Sequence, residues 1–303
     1  APKGNRYAWK ELYQLMDKIA VEEGVKQENI MMGPGSSDLL EKTAMVFFQN
    51  GGNIVSADPA YMSLIKVAEA TGATWKPIPL KKDWSHDLAA MEAAVDDDTK
   101  LVYICNPNNP TGSMTDHAEL VDFCSRVSEK TPIFVDEAYL GFLDDAAKKS
   151  MVSLINVIIA RTFSKIQGMA GLRVGYVVAQ PETLDIIQKI TRGGMGISLP
   201  SVYAAMASME DVAFKDKSRK LNKECREYVY ENLNRLGFEY VPSSTSFIIF
   251  PIEMDGKPFL EKMTAEGVGV RAFEIYGKNW CRVSMGTMDE MKLFTAALEK
   301  VLV

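Results

Sequence analysis

Histidine is scarce in this chain: His86 and His117 are the only two in 303 residues. Both stand in polar stretches that read as an exposed loop and a helix start, so neither imidazole acid–base chemistry nor a histidine-rich metal site is expected, and no metal is assigned. Cysteine is also sparse. Cys105, Cys124, Cys225 and Cys281 lack metal-like spacing and lie in apolar or helical surroundings, which reads as reduced thiols in a cytoplasmic protein. No apolar run approaches a membrane span, and the first residues lack the charged-then-apolar order of a signal. Those residues read as mid-protein, so a segment before Ala1 stays open. Positive charge is not in excess either: the net charge of −6 argues against a nucleic-acid partner. Internal repeats and low-complexity segments are absent.

What remains is an ordinary globular composition, 47% hydrophobic and 24% charged, in a chain long enough for one large core and a smaller domain. Apolar residues Leu12, Leu15, Met16, Ile19 and Ala20 repeat at helical period and stop at Gly24, predicting a helix over 9–23. Short β-rich runs follow near 30–32, 53–56, 74–79, 101–105, 133–135, 157–160 and 174–178, most of them separated by helical patterns near 37–49, 60–71, 87–95, 115–129 and 181–192. Such alternation predicts an α/β fold with a mostly parallel seven-stranded sheet flanked by helices. The seventh strand follows the sixth without a helix, so it is expected to run antiparallel. From Ser201 a long charged helix over 201–236, strands at 247–250, 268–271 and 281–284, and helices at 257–266 and 288–302 predict a smaller α+β domain. The expected division is 25–200 for the large domain, with 1–24 and 201–303 in the small one, the first helix packing with the latter. At one junction, Met151-Val-Ser-Leu-Ile155 meets Asn156-Val-Ile-Ile159 with no turn residue, which predicts that residues are missing between Ile155 and Asn156.

The chemistry centres on Arg161-Thr-Phe-Ser-Lys-Ile-Gln-Gly-Met-Ala-Gly-Leu-Arg-Val-Gly-Tyr176. A β-branched run leads into the hydroxyls of Thr162 and Ser164, then Lys165, then a glycine-punctuated loop ending in Arg173. Hydroxyls, an arginine and the close backbone approach allowed by Gly168 and Gly171 are the parts of an anion site. A lysine beside a bound dianion suggests a phosphorylated carbonyl cofactor held as a Schiff base. Asp136, after the buried run Ile133-Phe-Val135, sits where ligands of open α/β sheets bind. Gly33-Pro-Gly-Ser-Ser-Asp-Leu-Leu40 follows a strand and opens a helix, so Ser36 and Ser37 offer backbone N–H groups at a positive dipole end, or simply a helix cap.

The Ser-Lys-x(6)-Gly-Leu-Arg-x-Gly pattern, with Asn106-Pro-Asn-Asn-Pro-Thr-Gly112 and Asp136-Glu-Ala-Tyr139, resembles the fold-type I pyridoxal-phosphate aminotransferases (class I/II), most closely the histidinol-phosphate aminotransferase branch. The resemblance spans roughly Asn5 to Thr287. It implies an aspartate-aminotransferase-like fold, pyridoxal 5'-phosphate as cofactor, and amino transfer between an amino acid or histidinol phosphate and a 2-oxo acid such as 2-oxoglutarate. It also implies roles. Lys165 holds the cofactor and then moves the proton; Asp136 pairs with the pyridine nitrogen; Tyr139 and Asn109 hydrogen-bond the phenolate oxygen. Tyr61 stacks on the ring, which the small Ala138 lets lie close over the strand end. Ser36, Ser37, Thr162, Ser164 and Arg173 hold the phosphate. Arg282 clamps the substrate carboxylate, with Asn109 beside it, and Arg271 reaches the distal group. Asn5-Arg-Tyr7 matches a string whose tyrosine crosses to the cofactor of a neighbouring subunit, implying a homodimer with shared active sites. The chain departs from the family at Pro34, Ser37 and Asp38, and at Leu64, where a tyrosine bearing on substrate is usual. Three alternatives stay open: an aromatic or other amino-acid aminotransferase, a lyase or decarboxylase on the same scaffold, and a binding protein without turnover.

Overall fold

The computed structural model describes residues 4–143 and 156–302. The junction between Ile155 and Asn156 lies outside the described residues. Strands β1 (Ile30–Gly33), β2 (Asn53–Asp58), β3 (Thr74–Pro79), β4 (Thr99–Cys105), β5 (Ile133–Asp136), β6 (Val157–Thr162) and β7 (Gly175–Val178) form one sheet in the order β1-β7-β6-β5-β4-β2-β3. The pairs β2·β3, β2·β4, β4·β5 and β5·β6 are parallel, and β7 runs antiparallel to both β1 and β6, as the missing crossover helix predicts.

Alternate residues along these strands enter different cores, since successive side chains face opposite sides of a sheet. Val102, Ile104, Ile133, Val135 and Ile159 pack under α1 (Trp9–Glu23), α4 (Leu88–Ala94), α5 (His117–Val127) and α7 (Leu199–Glu210). Leu101, Tyr103, Cys105, Phe134 and Ala160 pack under α2 (Ser36–Phe47), α3 (Ser63–Ala70) and α6 (Pro181–Gln188). With both faces covered, loops at the strand ends are the open ground for a site.

The smaller sheet is antiparallel, β8 (Phe247–Ile252), β10 (Lys278–Ser284) and β9 (Arg271–Ile275) in spatial order. It is covered by α8 (Val212–Arg235), α9 (Gly256–Ala265) and α10 (Met288–Leu302) around a separate core.

Four expectations need correction. The charged helix over 201–236 is two helices, because Asp211 ends α7 and caps α8 by accepting from the Phe214 amide. The strand expected at 268–271 starts at Arg271; the Val268 amide instead closes α9 onto the Met263 carbonyl. Helix α1 places Leu12, Leu15 and Ile19 in the core of the large sheet, beside Val202 and Ala205 of α7, and not in the core of the smaller sheet. His86 is buried at 1% exposure, because the turn from Lys81 to Ser85 tucks it against Thr115.

Candidate active site

Asp136 ends β5, the middle strand of the large sheet, and is buried beside Cys105 and Ala160 in register. Its Oδ1 accepts from the Ala138 amide at 3.0 Å, so Ala138 orients the carboxylate as well as being small. Among the described residues Asp136 has no ion pair, and burial pushes its pKa up to about 6. Period two puts it on the same face as Tyr103 and Cys105, and the buried Tyr103 hydroxyl has no partner at hydrogen-bond geometry. Lys165 follows β6 on the glycine loop. Its Nζ stands 4.9 Å from the centre of the Tyr139 ring, without a hydrogen bond or ion pair among the described residues. Burial lowers its pKa, with Arg282 and Arg173 acting in the same direction against the attraction of Asp136. The Tyr139 phenol is pushed up by burial and is therefore neutral.

A cradle for an anion opens beside this pair. Gly35, with φ of 93°, turns the chain into α2, whose N-terminus has no side-chain cap. The first amides of α2, at Ser36 and Ser37, are thus left for a ligand. A Cβ on Gly35 would meet Arg173 Nη2 at 2.3 Å, and one on Gly175 would meet the Ser36 amide at 2.3 Å, so both glycines let guanidinium, strand and helix end converge. Arg173 Nη1 donates to Ser164 Oγ at 3.3 Å and to the Ala170 carbonyl at 2.8 Å. The Ser37 hydroxyl lies 3.3 Å from that of Tyr61, which brings Tyr61 to the rim. Thr162 behaves differently: its hydroxyl donates to the Val174 carbonyl at 3.4 Å and accepts from the Ser164 amide at 3.1 Å, holding the loop that presents Ser164 and Lys165.

The other wall comes from the smaller sheet. Arg282 of β10 donates through Nη1 to Asn109 Oδ1 at 2.6 Å and lies over the rings of Phe247 and Phe273, 4.9 and 6.0 Å from their centres. That bond occupies the Asn109 carbonyl oxygen and turns its amide nitrogen away from Arg282. Arg271 is opposite Arg282 in the β9·β10 register and is exposed. Like charges placed so repel, and an anion between them would relieve the repulsion. The Asn109 loop is braced by Asn108, which donates to Pro59 and Thr111, and by Asn106, which exchanges bonds with Thr115. Thr115 also holds His86, whose pKa burial lowers to about 4, so His86 is a neutral scaffold residue. Leu64, at the position of the departure, is fully buried in the core between α2 and α3.

Tyr7 is the one predicted residue away from this cluster. It is 72% exposed, ahead of α1, at a cavity of about 570 Å³ shared with Trp9, Met195 and Pro200. Two groups escaped the sequence reading. Tyr103 stands two residues before Cys105, and only the register of β4 on β5 brings it toward Asp136. Glu137, Arg161 and Glu23 form a buried ion chain, Nη2 to Glu137 at 2.8 Å and Nη1 to Glu23 at 3.1 Å, on the opposite face. Their spacing of 24 and 138 residues leaves no local signal.

The implied cofactor fits these residues: a helix end without a side-chain cap, with Arg173 and Ser164, for a phosphate, and, among the described residues, a carboxylate without an ion pair for a ring nitrogen and an amine without one for a carbonyl. The arrangement can hold a phosphorylated aromatic carbonyl compound under a carboxylate-bearing substrate.

A family model, Aminotransferase class I and II, matches residues 5–298. The chain is 36% identical over 296 residues to a histidinol-phosphate aminotransferase of Moorella thermoacetica, covering 96% of this chain and 76% of that protein. It is 37% identical over 306 residues to histidinol-phosphate aminotransferase 1 of Cupriavidus pinatubonensis, covering 98% and 81%. The crystal structure of histidinol-phosphate aminotransferase from Sinorhizobium meliloti in complex with pyridoxal-5'-phosphate superposes with a TM-score of 0.92 at 29% identity, covering 99% of this chain and 84% of that one.

Proposed function

The chain belongs to the class I and II aminotransferase family and is a pyridoxal-phosphate-dependent aminotransferase; from that premise we propose that it moves the amino group of histidinol phosphate to 2-oxoglutarate. The observation that carries the substrate reading is the cross-strand pair of Arg271 and Arg282, two guanidiniums on one face of a hairpin, one of them bonded to Asn109. Both substrates bring anions to it, a phosphate in one half-reaction and two carboxylates in the other, and planar guanidinium forks suit either.

When bound, the cofactor supplies an electrophilic carbonyl and a ring that takes up the electron pair left at the substrate carbon. Lys165 provides the amine that holds that carbonyl and, once released, takes the proton from the carbon bearing the amino group. Its depressed pKa keeps more of it neutral for both tasks. Asp136 would supply negative charge to the ring nitrogen, Tyr139 and the Asn109 amide would donate to the ring oxygen, and Tyr61 would pack against the ring. Ser36, Ser37, Ser164 and Arg173 hold the phosphate, while Arg282 fixes the substrate carboxylate.

We further propose a cytoplasmic homodimer in which Tyr7 reaches the phosphate of the partner's site. Its exposure, with Trp9 and Ile190 also exposed nearby, supports an interface there, and a phenol adds a donor without adding charge. Mixing Lys165→Ala with Tyr7→Phe subunits should restore about one working site per heterodimer if each parent variant is impaired; no recovery in verified heterodimers would place Tyr7 elsewhere.

Glutamate formation from 2-oxoglutarate with a panel of donors tests the substrate. Histidinol phosphate should exceed phenylalanine and tyrosine in kcat/KM by at least about tenfold, a ratio well within what buried polar recognition supplies. Equal or better use of an aromatic amino acid would overturn the assignment.

A further inference from the structure

Two of the non-glycine residues with left-handed backbone, Trp84 (φ 66°) and Tyr276 (φ 51°), stack on each other although 192 residues apart. Their rings are nearly parallel, with centres 6.2 Å apart, and Trp84 meets Trp280 edge-on at 5.1 Å. Tyr276 and Gly277 are the two turn residues between Ile275 and Lys278 at the tip of the β9·β10 hairpin, both at positive φ. Asn or Gly suits the first of these positions, and a bulky side chain is disfavoured there. The tyrosine hydroxyl is spent on the large domain: it donates to the Asp58 carbonyl and accepts from the Leu80 amide at 3.0 Å.

Those contacts lead into the active site on two sides. Asp58 begins the loop that ends in Tyr61, whose hydroxyl meets Ser37. The Trp84 carbonyl accepts from Ser113 Oγ at 2.7 Å, Ser113 and Thr111 hydroxyls lie 2.6 Å apart, and Thr111 accepts from Asn108, next to the Asn109 that holds Arg282. The hairpin carrying Arg271 and Arg282 is therefore fixed to both cofactor-side loops through its tip.

We propose that Tyr276, seated on Trp84, is a positioning residue for substrate carboxylate recognition: it pins the hairpin tip to the Asp58 loop and thereby sets Arg282 against Asn109. This rests on the reading of Arg282 as the carboxylate residue. Tyr276 touches no reacting atom and acts through the hairpin. Because its ring is half exposed and stacks in place, Tyr276→Phe removes the hydroxyl and leaves the fold intact.

The test uses the holoenzyme and three variants, Tyr276→Phe, Arg282→Lys and the double variant. Tyr276→Phe should raise KM for 2-oxoglutarate and weaken binding of glutarate, a non-reacting analogue, by about three- to tenfold, the scale of one lost hydrogen bond. The bound-cofactor absorbance and cofactor affinity should not move, Tm should fall only slightly, and hydrogen exchange of the Leu80 amide, left with its longer 3.3 Å bond to the Asp58 carbonyl, should speed up. In the Arg282→Lys background the same change should have little further effect, because both act on one contact. An unchanged glutarate affinity, a full additional loss in the double variant, or a Leu80 amide already unprotected in the parent would each overturn the latch. If Arg282→Lys alone leaves carboxylate binding intact, the reading of Arg282 fails and takes the latch with it, an outcome distinct from additivity.

Discussion

Asp136 and Glu137 are consecutive buried carboxylates at the end of β5, and they face opposite sides of the sheet. Glu137 meets Arg161, which also pairs with Glu23, and Glu23 accepts from the Tyr176 hydroxyl at 2.6 Å. Asp136 accepts from one backbone amide and makes no ion pair among the described residues. Burial raises both, to about 6 for Asp136 and about 7 for Glu137; in the second case one guanidinium shared by two carboxylates leaves negative charge uncompensated. The difference separates structure from function. A buried carboxylate with its cation supplied by the chain ties α1, β5, β6 and β7 together, whereas one whose cation is missing is prepared for a ligand to supply it.

Five experiments would break or sharpen that contrast. Lys165→Ala should abolish transamination while the cofactor is still retained noncovalently by the separate phosphate cradle; measurable turnover at wild-type order would remove Lys165 from the chemistry. Asp136→Asn should lower kcat by at least about two orders of magnitude with a small change in KM, since a preorganised charge matters most as the electron pair develops. Glu137→Gln, its neighbour, should change kcat less than about tenfold. Equal losses from the two substitutions would erase the distinction between the faces.

On the structural face, Arg161→Met should lower the free energy of unfolding by about 3 kcal/mol, because it strands two buried carboxylates. Denaturant unfolding measures this, and a neutral result would show the ion chain to be dispensable. The smallest effect is a pH dependence in cofactor-free protein. The folded pKa of Asp136, about 6, lies above its unfolded value of roughly 3.9. Between those values the folded chain holds more protons than the unfolded one, so this residue's contribution to stability falls as pH rises. Asp136→Asn removes that term and should gain stability relative to the parent from pH 4 to 7, by on the order of 2 kcal/mol. A gain in the acid direction would contradict the assigned environment.

Much of the site is legible in the chain because strand ends at a parallel sheet's edge carry their ligands in short contiguous strings. Lys165, Arg173, Asp136 and Asn109 are proposed that way. The antiparallel turn of β7 is legible from a missing helix. What is hidden depends on register or on distant partners. The opposition of Arg271 to Arg282 needs the pairing of β9 with β10, and the true start of β9 is blurred by Gly267 and Gly269. His86 reads as exposed because its neighbours are polar, yet a turn folds it inward. The burial of Leu64 under α3 and the bonds of the Thr162 hydroxyl to Val174 and Ser164 are likewise invisible in the chain.

The account's central claim is that Lys165 is the amine that holds a carbonyl cofactor. Borohydride reduction of the holoenzyme followed by peptide mass spectrometry tests it most directly. The added mass of the reduced cofactor should appear on Lys165, in the segment from Thr162 to Arg173, in near-stoichiometric yield. The same mass on another lysine, or none on the protein while cofactor is bound, would contradict it.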